Sequence, residues 1–385
     1  MSKHDFSAAE FAERRSRLQA AMQEAGLDWL VAIHPVSIHW LTGSDAKSYQ
    51  EFQCLLVGAK GEPLVVLTRA GETHEFETDS LADEVVGWGG GIVEDPIAAF
   101  EALATRLGLR TGRVGLEVPG YYLHPHHYVR LRAWLSDALA GEATDLISRL
   151  RLVRSPAELG FIREATAYVD VGMERFLAAL RPGVSELALA GSVYEAIMAA
   201  GSGIAASPMN LVSGERSAYS HGAPTQRILR AGDYGSIEYG ATCRRYTATI
   251  GRQFVLGRPT RRMLELYDVV RRASDAMIAA IADGVPAEVP HEAARAVIVE
   301  AGLEEYRVHT SGYAVGPGFP PSWGEPLHMM GGVRDILRSG MVLTVEPPVF
   351  VGPEGLGARI IDNVLVTPGG AEILSSTSRD LIVVD

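Results

Sequence analysis

The 385-residue chain is short of cysteine, of aromatics and of positive charge. Its two cysteines, Cys54 and Cys243, allow one bridge at most, which excludes a disulfide-stapled module. Lys and Arg total 35 against 47 Asp and Glu, a net charge of -12 with His neutral. No global positive field therefore exists to hold a phosphate backbone or an anionic membrane. No uncharged apolar run approaches the roughly 18 residues that a spanning helix needs. The stretch from Met1 to Arg15 also lacks the apolar core of a signal peptide. The expectation is a cytoplasmic protein with reduced thiols and neither nucleic-acid nor membrane partners. What is plentiful is apolar residue, 47% of the chain, ample for the closed cores of two domains.

Residues 1–152 alternate helix and strand signals. Phe11, Leu18 and Met22 recur at helical spacing before the stop at Gly26, and apolar strands are expected at Trp29 to Ile33, Phe52 to Val57, Pro63 to Leu67, Asp83 to Trp88 and Arg113 to Leu116. A helix is expected from Pro96 to Leu109. This describes an α/β domain whose strand directions the pattern leaves open. Near Ser155 the run Ser-Pro-Ala-Glu supplies an N-cap, a proline at N1 and a glutamate at N3, so a long helix opens a second domain, residues 153–385. Helices follow at Glu186 to Ala200, Arg261 to Gly284 and Pro290 to Gly302. Between and after them the chain is glycine-punctuated and strand-like, an α+β texture. Gly89-Gly90-Gly91 lacks the strand–GxGxxG–helix context of a dinucleotide site, and Gly316 to Gly324 reads as a loop. His124, His126 and His127 form a His-x-His-His cluster that a helix start at Pro125 accounts for.

Chemistry-bearing side chains of the second domain fall in short windows beside apolar strands. They are Ser220-His221-Gly222, Ile237-Glu238-Tyr239-Gly240, Arg244-Arg245-Tyr246, Arg252, Ser311-Gly312-Tyr313, Val345-Glu346-Pro347, Arg359 and Asp362. An ionised group inside such strands needs a partner, so their convergence makes physical sense.

On these windows, residues from about 156 to 370 resemble the pita-bread family, which includes methionine aminopeptidase, Xaa-Pro peptidase, creatinase and ectoine hydrolase. Residues 1–152, with Trp40-Leu41-Thr42-Gly43, look like the creatinase/prolidase N-terminal domain. The resemblance implies a dinuclear metal centre held by two aspartates, a histidine and two glutamates. The matching positions here carry Glu238, Thr249, Tyr313, Glu346 and Ile361. Threonine and isoleucine cannot replace bridging carboxylates, so no metal and no cofactor is expected. Arg244-Arg245-Tyr246 and the run Pro320-Pro321-Ser322-Trp323-Gly324-Glu325 look most like ectoine hydrolase.

The resemblance implies a metal-independent hydrolase of a nonpeptide C–N bond in a small zwitterion, an ectoine-like cyclic amidine first. The alternatives are a divergent Xaa-Pro-type peptidase and a metabolite- or peptide-binding pseudoenzyme. His221 would shuttle protons, Glu238 and Glu346 would hold a cationic amidine or polarise water, and Tyr313 would bond the tetrahedral intermediate. Tyr246 and Arg252 would contact substrate, although Arg252 also reads as a buried partner of Glu238. Phe319 and Trp323 would wall the pocket, with Glu325 at its mouth and Asp362 beside it. His309 and His328 flank the same windows without an assigned role. Family analogy further implies a homodimer in which Ser48, Tyr49 and Phe52 reach across to the partner's site, and these three read equally as core.

Overall fold

The computed structural model describes residues 2–45 and 47–384. The chain divides into two compact units, Met1–Arg151 and Leu152–Asp385.

The first unit is an α/β layer built in the order α1 (Ala8–Glu24), β1 (Trp29–Ala32), α2 (Pro35–Thr42), β2 (Cys54–Gly58), β3 (Val65–Arg69), α3 (Thr73–Asp79), β4 (Glu84–Trp88), α4 (Pro96–Arg106), β5 (Val114–Leu116), α5 (Pro125–Leu135), β6 (Leu139–Glu142) and α6 (Thr144–Arg151). Its sheet runs β4-β3-β2-β1-β5-β6 and is mixed. β1 pairs antiparallel with β2 and parallel with β5, the point that sequence pattern left open. Ser7 caps α1 by accepting from the Glu10 amide, and the helix buries Phe11, Leu18 and Met22 as their spacing predicts. α2 gives no periodic signal because all eight of its residues are buried, leaving no polar face to mark it. Both cysteines of the chain are buried.

The second unit begins with α7 (Pro156–Ala179) and α8 (Glu186–Ala200). It continues through β7 (Asn210–Ser213), β8 (Tyr234–Cys243), β9 (Tyr246–Leu256), α9 (Arg261–Ala280), α10 (Glu288–Glu300), β10 (Tyr313–Phe319), β11 (Ser322–His328), β12 (Val342–Val345), β13 (Val349–Val351), β14 (Leu356–Ala358), β15 (Asp362–Thr367), β16 (Gly370–Ile373) and β17 (Ile382–Val384). The expected capping box is present: Ser155 Oγ accepts from the Glu158 amide at 3.2 Å, and the Glu158 carboxylate accepts from the Ser155 amide at 2.8 Å. The main strand order is β16-β15-β12-β10-β9-β8-β7. One core joins α7 and α8 to β8 and β9 through Val169, Phe176, Val193, Ile237, Tyr239 and Ile250. The other joins α9 and α10 to β10, β12 and β15 through Val270, Ala294, Ala314, Leu343 and Val364. Among the described residues no helix is long and apolar enough to cross a membrane.

The segment from Gly316 to Gly324 is no loop. It is a hairpin in which β10 and β11 pair antiparallel, with Phe319 opposite Ser322. Burial alternates strictly along β11, so Trp323, Glu325 and Leu327 point inward while Ser322, Gly324 and Pro326 face out.

Candidate functional site

The pleat of the sheet decides which side chains meet. In the β8–β9 ladder Glu238 pairs with Gly251 and Gly240 with Thr249, while Ile237 pairs with Arg252 and Cys243 with Tyr246. Directly opposed residues share a face and consecutive residues alternate. Glu238 and Thr249 therefore stand on one face, and Ile237, Tyr239 and Ile250 enter the helix-covered core from the other. The same alternation runs on through β12 and β15, where Thr344 pairs with Asn363 and Val345 with Asp362. Tyr313, Glu346, Ile361 and Asn363 fall on the face of Glu238. The contacts agree: the Tyr313 amide donates to Thr344 Oγ1 at 3.0 Å, and Asn363 bonds Thr249.

At the centre is an ion pair. Arg359 Nη1 lies 2.7 Å from Glu238 Oε2, with both side chains almost wholly buried. The same Nη1 donates to the Ser220 carbonyl at 2.8 Å, and Asn210 Nδ2 donates to Glu238 Oε2 at 2.9 Å. Glu346 is buried beside them, 1% exposed, and its Oε1 has no hydrogen-bond partner. Burial, reinforced by the Glu238 charge and opposed by Arg359, pushes its carboxyl up to about 8. Burial thus favours the protonated form of this carboxyl.

His309 Nδ1 sits 3.9 Å from that free Glu346 oxygen and 3.0 Å from the Thr310 carbonyl. A carbonyl only accepts, so the bond to Thr310 places the proton on Nδ1 and leaves the Nε2 lone pair as a base. Burial, with Arg359 and His221 nearby, lowers the His309 pKa. Its ring centroid is 5.3 Å from that of His221, which is exposed. Trp323 Nε1 donates to the Tyr313 hydroxyl at 3.0 Å, and burial followed by the Glu346 and Glu238 charges raises the Tyr313 pKa well above its ordinary range. Tyr313 is thus a neutral hydroxyl.

Tested as a dinuclear metal centre, this donor set does not fit. The Thr249 hydroxyl accepts from Asn363 Nδ2 at 2.9 Å while its amide donates to Asn363 Oδ1 at 2.6 Å. Ile361 offers no donor and packs where a Cβ on Gly251 would come within 2.6 Å of it. Tyr313 is tied to Trp323, and a guanidinium already stands on Glu238. Among the described residues no group of three or more His, Cys, Asp or Glu side chains is arranged to hold a metal ion. That statement includes His124, His126 and His127, although the centroids of the last two rings are 4.0 Å apart.

His221, Glu238, Glu346, Tyr313 and Trp323 lie in one neighbourhood, whereas several other candidates have different partners. Arg252 projects from the opposite face of β9 and does not reach Glu238. It donates from Nη2 to Asp362 Oδ1 at 2.8 Å, and from Nη1 to the Ile361 carbonyl at 2.8 Å. Asp362, fully buried, also accepts from Arg379 Nε at 2.6 Å, so it sits in a structural ion cluster and not beside a substrate. Tyr246 shares the Arg252 face and donates its hydroxyl to Glu158 at 2.7 Å, bracing the start of α7. Glu325 is not at a mouth: the alternation of β11 carries it inward to Arg154 Nη2 at 3.1 Å, with both side chains sealed from solvent. Phe319 is buried under the Arg245 guanidinium, 4.2 Å from its ring centroid. Phe52 is a core residue of the first unit, edge-on to Phe100 and His127, and Tyr49 packs edge-on against Tyr122.

The central cation, Arg359, was the residue sequence reasoning left unplaced. Its spacing of two from Ile361 and four from Asn363 is the signal that puts it on the same face. His309 precedes Tyr313 by four residues in the turn leading into β10, where no periodicity reports direction.

Comparison with known proteins adds a family. The model described as metallopeptidase family M24 matches residues 160–368, and the Creatinase/Prolidase N-terminal domain matches residues 14–153. A probable dipeptidase PepE of Mycobacterium tuberculosis is 32% identical over 391 aligned residues, covering 100% of this chain and 99% of that protein. The ectoine hydrolase of Halomonas elongata is 28% identical over 401, covering 98% of each. The crystal structure of dipeptidase PepE from Mycobacterium ulcerans superposes with a TM-score of 0.86 at 29% identity, over 98% of this chain and 99% of that one. Similarity to the dipeptidases thus exceeds the similarity to ectoine hydrolase that the Arg-Arg-Tyr and Pro-Pro-x-Trp-Gly-Glu runs led us to expect.

Proposed function

Because this chain belongs to metallopeptidase family M24 and carries its Creatinase/Prolidase N-terminal domain, we propose that it is a C–N hydrolase acting on a dipeptide-sized substrate whose scissile amide is uncharged, with side chains in place of a dinuclear metal. The observation that carries the reading is the Arg359–Glu238 pair beside buried Glu346. Glu238 is already neutralised by a guanidinium, and burial favours the protonated form of Glu346. No uncompensated carboxylate remains to hold an amidinium, so a cyclic amidine of the ectoine type is a poorer match than an uncharged amide. The dipeptidase names of the similar proteins support the same substrate size.

The residues supply a complete proton path. His309 Nε2, with His221 on the open side, takes a proton from water as the water oxygen attacks the amide carbon. Glu346 delivers its proton to the departing nitrogen as the C–N bond breaks, and the imidazolium returns a proton to the Glu346 carboxylate. The products are a carboxylic acid and an amine. Tyr313, held by Trp323, is positioned to donate to the substrate.

The test is a hydrolysis panel of Xaa-Pro and other dipeptides, ectoine and creatine, with metal-analysed protein, with and without chelator. The expected result is amine release from a dipeptide, insensitive to chelation, with ectoine and creatine intact. Activity lost on chelation and restored by a divalent metal would return the chain to ordinary metallopeptidases. Ring opening of ectoine without dipeptide cleavage would reinstate the amidine reading. The homodimer implied by family resemblance and the cytoplasmic location expected from the sequence belong to this proposal, and light scattering of the purified chain tests the former.

A further inference from the structure

Three buried polar atoms around the central ion pair have no hydrogen-bond partner: Arg359 Nε, Glu346 Oε1 and Ser220 Oγ. Buried polar atoms in folded proteins are almost always bonded, so unbonded ones on residues of the site mark where a ligand's polar atoms go. Arg359 is the most informative of the three. Its Nη1 is committed to Glu238 and the Ser220 carbonyl. Nε has no partner, and Nη2 takes part in no hydrogen bond among the described residues. The unengaged pair is the Nε–Nη2 edge, the side of a guanidinium whose two parallel N–H groups match two oxygens on one atom. The ring of Phe350, 5.9 Å from Cζ, flanks the group and limits how it can turn.

We infer that the Nε–Nη2 edge of Arg359 is a receptor for a two-oxygen anionic group of the ligand. This inference rests on the proposed C–N hydrolase reading and deepens it. In such a reaction the group has two sources: a carboxylate carried by the substrate, or the pair of oxygens on the tetrahedral carbon formed when water adds to the amide. Arg359 thereby takes over the anion-binding part of a metal's work while its Nη1 stays paired with the Glu238 carboxylate. Ser220 Oγ, on the loop held by the same guanidinium, supplies a further donor.

The experiment begins with a probe independent of any substrate. Formate is titrated calorimetrically into the full wild-type chain and into Arg359→Lys, and a formate complex of the wild type is crystallised. Lysine keeps the charge but offers a single donor centre, so formate binding is expected to weaken about tenfold or more. Formate oxygens are expected on Nε and Nη2. Formate that does not bind, that binds both proteins equally, or that occupies another place overturns the inference, and the wild-type crystal decides should the variant fail to fold. Formate bound at Arg359 by a protein that cleaves no dipeptide leaves the receptor standing and removes the hydrolase reading. With an active protein, the kinetics of Arg359→Lys distinguish the sources. A raised KM at constant kcat assigns the edge to the substrate's carboxylate. A fall in kcat, with parallel loss of affinity for a phosphinic dipeptide analogue, assigns it to the tetrahedral oxygens.

Discussion

Thr249 and Asn363 bond each other twice, amide to Oδ1 at 2.6 Å and Nδ2 to Oγ1 at 2.9 Å. The pair joins β9 to β15 at a position where the family resemblance implies a carboxylate ligand. A hydroxyl and an amide here close the sheet face with neutral hydrogen bonds and leave no charge for a cation.

Restoring the ligand types follows directly. The triple variant Thr249→Asp, Tyr313→His, Ile361→Glu is expected to bind divalent metal, while the wild type binds it substoichiometrically. Elemental analysis after dialysis reads the difference. Stoichiometric metal in the wild type would show that the arginine does not displace the ion.

The Arg359–Glu238 pair is expected to matter most when half of it is removed. Arg359→Met leaves a buried carboxylate without its cation and should cost about 3–5 kcal/mol, and the double variant Arg359→Met, Glu238→Gln should recover much of that loss. Urea unfolding of the wild type, both singles and the double gives the coupling. Additive losses would mean that the two side chains act independently.

Glu346 makes stability fall with rising pH. Its folded pKa, about 8, lies above the ordinary 4.5, so the folded state holds a proton that the unfolded state has released. Stability from this group is full below pH 4.5 and is lost as pH rises through about 8. Glu346→Gln, which cannot ionise, should lose less stability between pH 5 and pH 8 than the wild type, as measured by urea midpoints. An unchanged slope would assign the titration elsewhere.

Activity should follow a bell-shaped pH profile. His309 must be neutral to act as base, and its lowered pKa puts the acidic limb below the ordinary 6.5. Glu346 must be protonated to act as acid, which puts the basic limb near 8. His309→Gln should lower kcat by about 10²–10⁴-fold and abolish the acidic limb. If His221→Gln did so instead, the base would be the exposed histidine.

The buried Arg154–Glu325 pair provides a contrasting case. Glu325→Ala should destabilise by about 3–5 kcal/mol, because Arg154 is left charged and sealed from water. KM is expected to be unchanged, since Glu325 faces away from solvent. A large rise in KM with normal stability would restore Glu325 to the substrate mouth.

Sequence by itself determined the two-domain architecture and the capped start of α7 at Ser155, because each rests on local chemistry: apolar periodicity or capping-box spacing. It also offered His221, Glu238, Tyr313 and Glu346 as candidates for one site. Only the tertiary structure decided who faces whom. Strand register sends Arg252 and Tyr246 through the sheet to the side opposite Glu238, although Arg252 and Gly251 are adjacent in the chain. It turns Glu325 inward onto Arg154, and it brings Arg359, more than a hundred residues away, onto Glu238. A one-residue difference in register exchanges the two faces of a strand, and pairing across the sheet is set by packing that no local pattern reports.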